Sequence, residues 1–411
     1  MMRFPRPARA CVALGTALFT LAGAAACSSS DSGDGNGNGN GNGGQAGGTY
    51  TWWDPYPQHA DSSDWAQRVT KCGDEAGVTI KRTAYDTTAL TNQALLAAQE
   101  GNSPDIILLD NPAVSTLAET GMLTTMEEFG LDTSGIDQNL LGAGVLDEAA
   151  YGIPIGANTL ALYYNQSVLD EAGVDPASVT DWASLTAALQ QVTGDGHKGI
   201  TFAAIGTEEG SFQFLPWFWG AGADLHDLGS AEAAEALELW TGWLADGYAP
   251  NSVINNSQNT TWEEFLTGDF GFAVNGTWQV NSAAGAEFPT GVLPIPARDG
   301  GPAPAPTGGE FITAPVQKDT DRYAVTKEIV ECMTTPDGMV ETATTFAYYI
   351  PPTQDGQQQL LADTPELQPW VDAVRAARGR TSDNLGTDYP KISESLWTAV
   401  QKALSGAAGP A

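Results

Sequence analysis

The sequence predicts an α/β protein large enough for two lobes. Short apolar strands alternate with amphipathic helices from residue 49 onward, and the run 104–110 has the continuous apolar character of a strand buried on both faces. After the N-terminal segments, roughly 360 residues remain, more than one core usually organises. No internal repeat of 20 to 50 residues is visible, so solenoids and propellers are not expected.

Taken in order, residues 49–53 read as the first strand, followed by a helix through Trp65, Val69 and Cys72. A second strand is predicted over 78–85. The helix over 88–100 aligns Leu90, Ala94, Leu95 and Ala98 on one side. Strand 104–110 leads to a helix through Val114, Leu117 and Ala118, with Gly121 as its stop. Further strands are expected over 160–164, 200–205, 270–274, 291–296 and 311–316, and further helices over 182–192, 231–245, 260–266 and 321–333. Beyond Pro365 only helices are expected, at 367–377 and 392–404. Such alternation predicts largely parallel sheets.

The N-terminus reads as an export signal. Arg3, Arg6 and Arg9 precede an apolar run, and Gly23-Ala24-Ala25-Ala26 stands directly before Cys27. This resembles a bacterial lipobox, with Cys27 the lipidated residue, although position 24 is Ala where Leu is commonest. The resemblance implies that 1–26 is removed. A plain secretory signal followed by an incidental cysteine is the alternative. Residues 27–48 are rich in Gly, Asn and Ser and read as a flexible tether. The apolar stretch is short for a spanning helix, and no later segment approaches that length. The expected location is the extracytoplasmic face of a cell membrane, with contact through the lipid anchor only.

Twelve Trp and 42% hydrophobic residues exclude disorder for the body. The formal charge is −33, or −36 once the three signal arginines are removed, which repels nucleic acid and anionic surfaces. Acidity of this kind suits solubility outside the cell and names no ligand. With Cys11 in the signal and Cys27 lipidated, Cys72 and Cys332 remain, either as one disulfide or as two buried thiols. His59, His197 and His226 are scattered and none has zinc-like spacing to cysteine, so no metal and no cofactor are expected.

Gly194-Asp195-Gly196-His197-Lys198-Gly199 matches GxGxxG, but it follows a helix and precedes a strand, the reverse of the dinucleotide arrangement, and reads as a turn. Glu208-Glu209 and Glu263-Glu264 are adjacent pairs, and neighbours on a helix do not flank a bond as a glycosidase pair must. Aromatics carry more. Trp52, Trp53 and Tyr56 sit where the first strand ends, beside Asp54 and Asp61; Phe212, Phe214, Trp217, Phe218 and Trp219 form a second group; Trp278 follows Asn275-Gly276-Thr277. Taken singly, most such residues are core. Aromatics beside Asp, Asn and Gly at strand ends also suit a sugar, whose C–H faces stack while its hydroxyls pair with carboxylates and amides.

The segment Tyr151-Gly152-Ile153-Pro154-Ile155-Gly156-Ala157-Asn158, continuing through Tyr163-Tyr164-Asn165 to Val168-Leu169-Asp170-Glu171-Ala172-Gly173, resembles the extracellular solute-binding proteins of ABC transporters, in the carbohydrate-binding group related to maltose-binding protein. Other stretches agree in order: 104–110 with Gly121-Met122-Leu123, Trp262-Glu263-Glu264-Phe265 up to Gly276-Thr277-Trp278, Gly308-Gly309-Glu310, and the helix ending at Thr335-Pro336-Asp337-Gly338. The resemblance covers essentially all of 49–405, and 151–173 is its most specific part.

The resemblance implies a periplasmic-binding-protein-like fold: two α/β lobes, 49–156 plus 312–347 and 157–311 plus 351–411, with a hinge and an interlobe ligand cleft. It implies a monomeric, non-catalytic receptor that delivers a mono- to oligosaccharide to permease subunits. Cys72 and Cys332 would fall in one lobe, which favours the disulfide. Matching positions would make Asn158, Phe212, Trp278, Gly309 and Glu310 ligand contacts, with Gly308 in the same loop. Phe212 stands where Tyr or Trp is also familiar. Asp110 and Asn111 end the third strand facing the cleft, and Trp53, Asp54 and Tyr389 join them on local placement. Another small solute (a polyol, glycerol phosphate or a peptide) is an alternative on the same scaffold. Phosphate is disfavoured, because almost no Arg or Lys lies near these positions. A lipid-anchored glycoside hydrolase is the reading from another class, and the two-lobe pattern offers it no barrel.

Overall fold

The computed structural model describes residues 47–344, 349–381 and 385–406. The signal, Cys27 and nearly all of the tether lie outside the described residues. Among the described residues there are eleven strands: β1 (Thr49–Asp54), β2 (Thr79–Ala84), β3 (Ile106–Asp110), β4 (Val145–Leu146), β5 (Ala149–Ala150), β6 (Ile153–Pro154), β7 (Leu160–Asn165), β8 (Lys198–Thr201), β9 (Phe270–Gly276), β10 (Thr290–Leu293) and β11 (Glu310–Thr313). They form one sheet in the order β2-β1-β3-β11-β6, a second in the order β10-β7-β9-β8, and the small hairpin β4-β5.

Each large sheet is covered on both faces. In β3, Ile106 and Leu108 join a core with Trp52, Val69 and Ile329, whereas Ile107 and Leu109 point to the opposite core with Leu90, Val114 and Phe311. The period of two thus explains why this strand is apolar throughout. In the second sheet Leu160 and Leu162 face one cluster, while Ala161 and Tyr163 face another that includes Trp262 and Trp370. Helix starts are written locally. Ser63, Asp86, Ser230 and Ser257 each accept a backbone N–H from the first turn, and Asp181 forms a reciprocal capping box with Ser184.

The two-lobe α/β fold is as expected, but the sheets are mixed rather than largely parallel. β1 pairs in parallel with β2 and β3, and β8 with β9; β11 runs antiparallel to β3 and β6, and β7 antiparallel to β9 and β10. The reason is connectivity. β7 and β11 begin just after the chain crosses from one sheet to the other, so neither is fed by a right-handed βαβ unit. The predicted strand 200–205 stops at Thr201, because Ala204 N–H leaves the ladder for the carbonyl of Val253. The GxGxxG stretch is a helix-to-strand turn, with Gly196 at φ +96°. The helix Glu208–Gly220 has no counterpart among the predicted elements. It contains Pro216 and is buried from Gly210 to Trp219, so it shows neither a clean period nor a polar face.

Three crossing segments lie side by side between the sheets. Ala157 exchanges backbone hydrogen bonds with Ile350 at 2.8 Å each way, and Asn158 exchanges them with Gly308 at 3.1 and 2.8 Å. These pairs form the hinge, and they bring the ends of β1, β3 and β11 up to those of β7 and β9.

Candidate functional site

The first wall of the cleft is the edge where β1 and β3 end and β11 begins. Antiparallel register sets Glu310 directly opposite Asp110. Tyr56 Oη donates to Glu310 Oε2 at 2.5 Å, Tyr349 Oη donates to the same oxygen, and the two hydroxyls lie 3.1 Å apart. Burial pushes the Glu310 carboxyl up from the ordinary 4.5 to about 7; the two tyrosine hydrogen bonds oppose this, Asp110 adds to it and Arg380 subtracts from it. Trp53 is half-buried, its ring edge-on to Tyr85 at 5.3 Å.

The second wall is built from strand ends and one helix start. β9 ends at Gly276, where an added Cβ would stand 2.1 Å from the indole of Trp278, so glycine lets that ring fold back over the strand end. Phe212, in the first turns of Glu208–Gly220, lies 6.4 Å from Trp278 between ring centroids. At the crossing, a Cβ on Gly308 would meet Asn158 Oδ1 at 2.0 Å and Phe212 Cζ at 2.9 Å. Gly309, at φ +110°, would bring one to 2.5 Å from the carbonyl of Gly156. Both glycines are therefore required by the close approach of the crossing strands.

An ion network joins the walls. Arg380, 2% exposed, donates through Nη2 to Asp110 Oδ1 at 2.8 Å and through Nη1 to Asp110 Oδ2 at 3.3 Å and Glu208 Oε1 at 2.6 Å. Its guanidinium also lies 4.9 Å from the centre of the Phe212 ring. Glu208 is fixed by the Tyr389 hydroxyl at 2.8 Å and by the Ser393 hydroxyl. Burial raises the Glu208 carboxyl, Arg380 opposes that, and Asp110 adds to it.

Several sequence-derived positions therefore converge: Asp110, Asn158, Phe212, Trp278, Gly309 and Glu310 share this region, with Trp53 on its first wall. Three others serve differently. Asp54 is fully buried, and its carboxylate accepts from Arg82 at 2.5 and 2.7 Å, from the indoles of Trp52 and Trp65 at 3.0 and 3.1 Å, and from the backbone of Tyr56 at 3.1 Å. It has no exposed surface to offer a ligand. Asn111, 2% exposed, donates Nδ2 to the carbonyl of Thr307 at 3.2 Å and tethers the returning crossing. Tyr389, 1% exposed, positions Glu208 from behind.

The expectation that almost no basic side chain lies near the cleft is overturned by Arg380. Sequence reading also set Glu208 aside as half of an adjacent pair and missed Tyr349. The one available signal was scarcity: 17 basic residues among 50 acidic ones make every buried arginine a paired one, without saying with what. Cys72 and Cys332 form a disulfide (S–S 2.05 Å) between the helices Asp64–Glu75 and Tyr323–Thr334, both packed on the first sheet and away from the hinge. The fold also gathers Glu171, Asp195 and His197 on the surface, with ligand atoms within 4.8 Å of one another, a grouping the spacing did not suggest.

Residues 67–372 match the family described as bacterial extracellular solute-binding protein. The maltodextrin-binding protein MdxE of Bacillus subtilis is 24% identical over 264 residues, covering 58% of this chain and 59% of the relative. A maltooligosaccharide ABC transporter solute-binding lipoprotein of Streptococcus pneumoniae is 24% identical over 254 residues, 57% of each. The chain thus spans less than two thirds of the length of the curated relatives it matches. Among solved structures, the GacH receptor of Streptomyces glaucescens, studied unliganded and with acarbose, superimposes with a TM-score of 0.75 at 21% identity, covering 89% of this chain and 94% of that one. An ABC transporter solute-binding protein of Thermotoga lettingae bound with α-D-tagatose gives 0.75 at 21% identity, covering 88% and 95%. These similarities show the same fold. With three quarters of the chain matched by one family and the hinge and cleft in place, the chain belongs to the bacterial extracellular solute-binding proteins.

Proposed function

We propose that this protein captures a carbohydrate, a mono- to oligosaccharide, between its two lobes and delivers it to the permease of an ABC importer. The observation that carries this is the pairing of aromatic faces, Phe212 and Trp278, with hydroxyl-binding carboxylates, Asp110 and Glu310, in one cleft. Sugar C–H faces stack on such rings and sugar hydroxyls donate to such oxygens. Contact from both walls favours the closed state, so binding shifts an open–closed equilibrium. The names of the Bacillus and Streptococcus relatives point to the same ligand class.

On this reading the lobes run 49–156 plus 312–347 and 157–311 plus 351–411, except that Glu310 and Phe311, paired with β3, go with the first lobe. The chain works as a monomer without catalytic turnover, and lipid at Cys27 with the 27–48 tether keeps it beside its permease on the extracytoplasmic face. A thermal-shift panel of sugars tests the ligand class, because a ligand of the folded state raises its melting temperature. One class of sugar is expected to do so. A shift with a peptide, amino acid or phosphate and with no sugar would overturn the assignment.

A further inference from the structure

We propose that Asp110 and Glu208 serve as built-in counter-ions for Arg380, so that the cleft turns away anionic solutes and admits neutral polyhydroxylated ones. This rests on reading the cleft as the ligand site and adds the charge class it selects. Arginine is the side chain that anion sites recruit, because its fork meets two oxygens of a phosphate or carboxylate at once. Here Asp110 accepts from both η nitrogens and Glu208 accepts a second N–H of Nη1, so the guanidinium is already shared by two carboxylates. Two N–H groups remain, one on Nε and one on Nη2, and Nε–H is buried with no acceptor among the described residues. Two carboxylates on one guanidinium oppose the approach of an anion, whereas the remaining N–H groups still suit neutral hydroxyl or ether oxygens.

The counter-ions are fixed in place. Tyr389 and Ser393 hold Glu208, so it does not swing aside to free the guanidinium. Glu310 stands opposite Asp110 on the neighbouring strand. An arriving anion would therefore face two carboxylates set around one cation, and like charges set together are a strong source of rejection. The bond from Arg380 to Asp110 also spans the two walls.

The test compares the wild-type chain with the double variant Asp110→Asn plus Glu208→Gln, titrated calorimetrically with inorganic phosphate and glycerol 3-phosphate. The wild type is expected to show no saturable binding. The double variant should bind at least about tenfold more tightly than the wild-type limit, and adding Arg380→Gln should remove the gain. Glu263→Gln, which removes one charge from an exposed helix face, should leave phosphate binding as in the wild type. Saturable phosphate binding by the wild type, a folded double variant with no gain, or a gain that survives Arg380→Gln would each overturn the proposal. If circular dichroism shows the double variant unfolded, Glu208→Gln alone is judged by the same criteria. The sugar panel keeps the two readings apart. A wild type that answers to no sugar, with a variant that gains phosphate, sinks carbohydrate capture and leaves the counter-ion assignment standing; sugar binding without that gain does the opposite.

Discussion

Asp54 and Asp110 end neighbouring strands of one sheet, each with an arginine on its carboxylate, yet they belong to different parts of the design. The partner of Asp54 is Arg82, one strand away on β2 in the same sheet. The partner of Asp110 is Arg380, more than 250 residues later and on the other side of the cleft. In the first pair Asp54 is fully enclosed and Arg82 nearly so, and the pair fastens a loop to its own lobe. The second leaves Asp110 18% exposed and links two walls. Identical chemistry at equivalent strand ends thus gives a structural pin in one case and a selective contact in the other. What separates them is where the arginine comes from.

That contrast can be broken by charge removal. Asp54→Asn should cost roughly 3–5 kcal/mol of unfolding free energy, because Arg82 is left buried beside a neutral amide. Asp110→Asn should cost no more than about 1.5–3 kcal/mol, since Arg380 keeps Glu208, and its larger effect should be on ligand affinity. Chemical denaturation of both variants checks the order; equal losses would mean that the two pairs are equivalent pins. A smaller effect concerns Glu310. Its folded-state value is raised from 4.5 to about 7, chiefly by burial, so its contribution to stability is fully present below 4.5 and lost as the pH rises through about 7. Glu310→Gln keeps the group neutral, so its melting temperature should gain on the wild type between pH 5 and 8. Parallel pH profiles for the two proteins would contradict that account.

How much of this was legible depended on whether a signal was local. β3 announced itself because burial on both faces makes a strand apolar throughout, and the caps at Ser63, Asp181 and Ser230 sit one residue before their helices. The helix Glu208–Gly220 was illegible because full burial erased its polar face and Pro216 interrupted its pattern. Within the cleft, Gly308, Gly309, Phe212 and Trp278 could be reached through short motifs. Arg380 and Tyr349 could not, since their roles exist only once the third crossing and the C-terminal segment are folded against residues far away in the chain. Asp54 misled for the same reason: its sequence context matches that of a cleft residue, and only the approach of Arg82, Trp52 and Trp65 encloses it.

The central claim is that a sugar sits against the aromatic wall of the cleft. It is tested most directly by titrating the wild type and Trp278→Ala with the sugar that gives the largest thermal shift. Loss of an indole at the centre of a binding surface should weaken affinity by about 2–4 kcal/mol, roughly 30- to 1,000-fold, while the ligand-free melting temperature stays close to that of the wild type. Unchanged affinity in a folded Trp278→Ala protein would contradict the account, because the ligand would then be bound without the wall that defines the site.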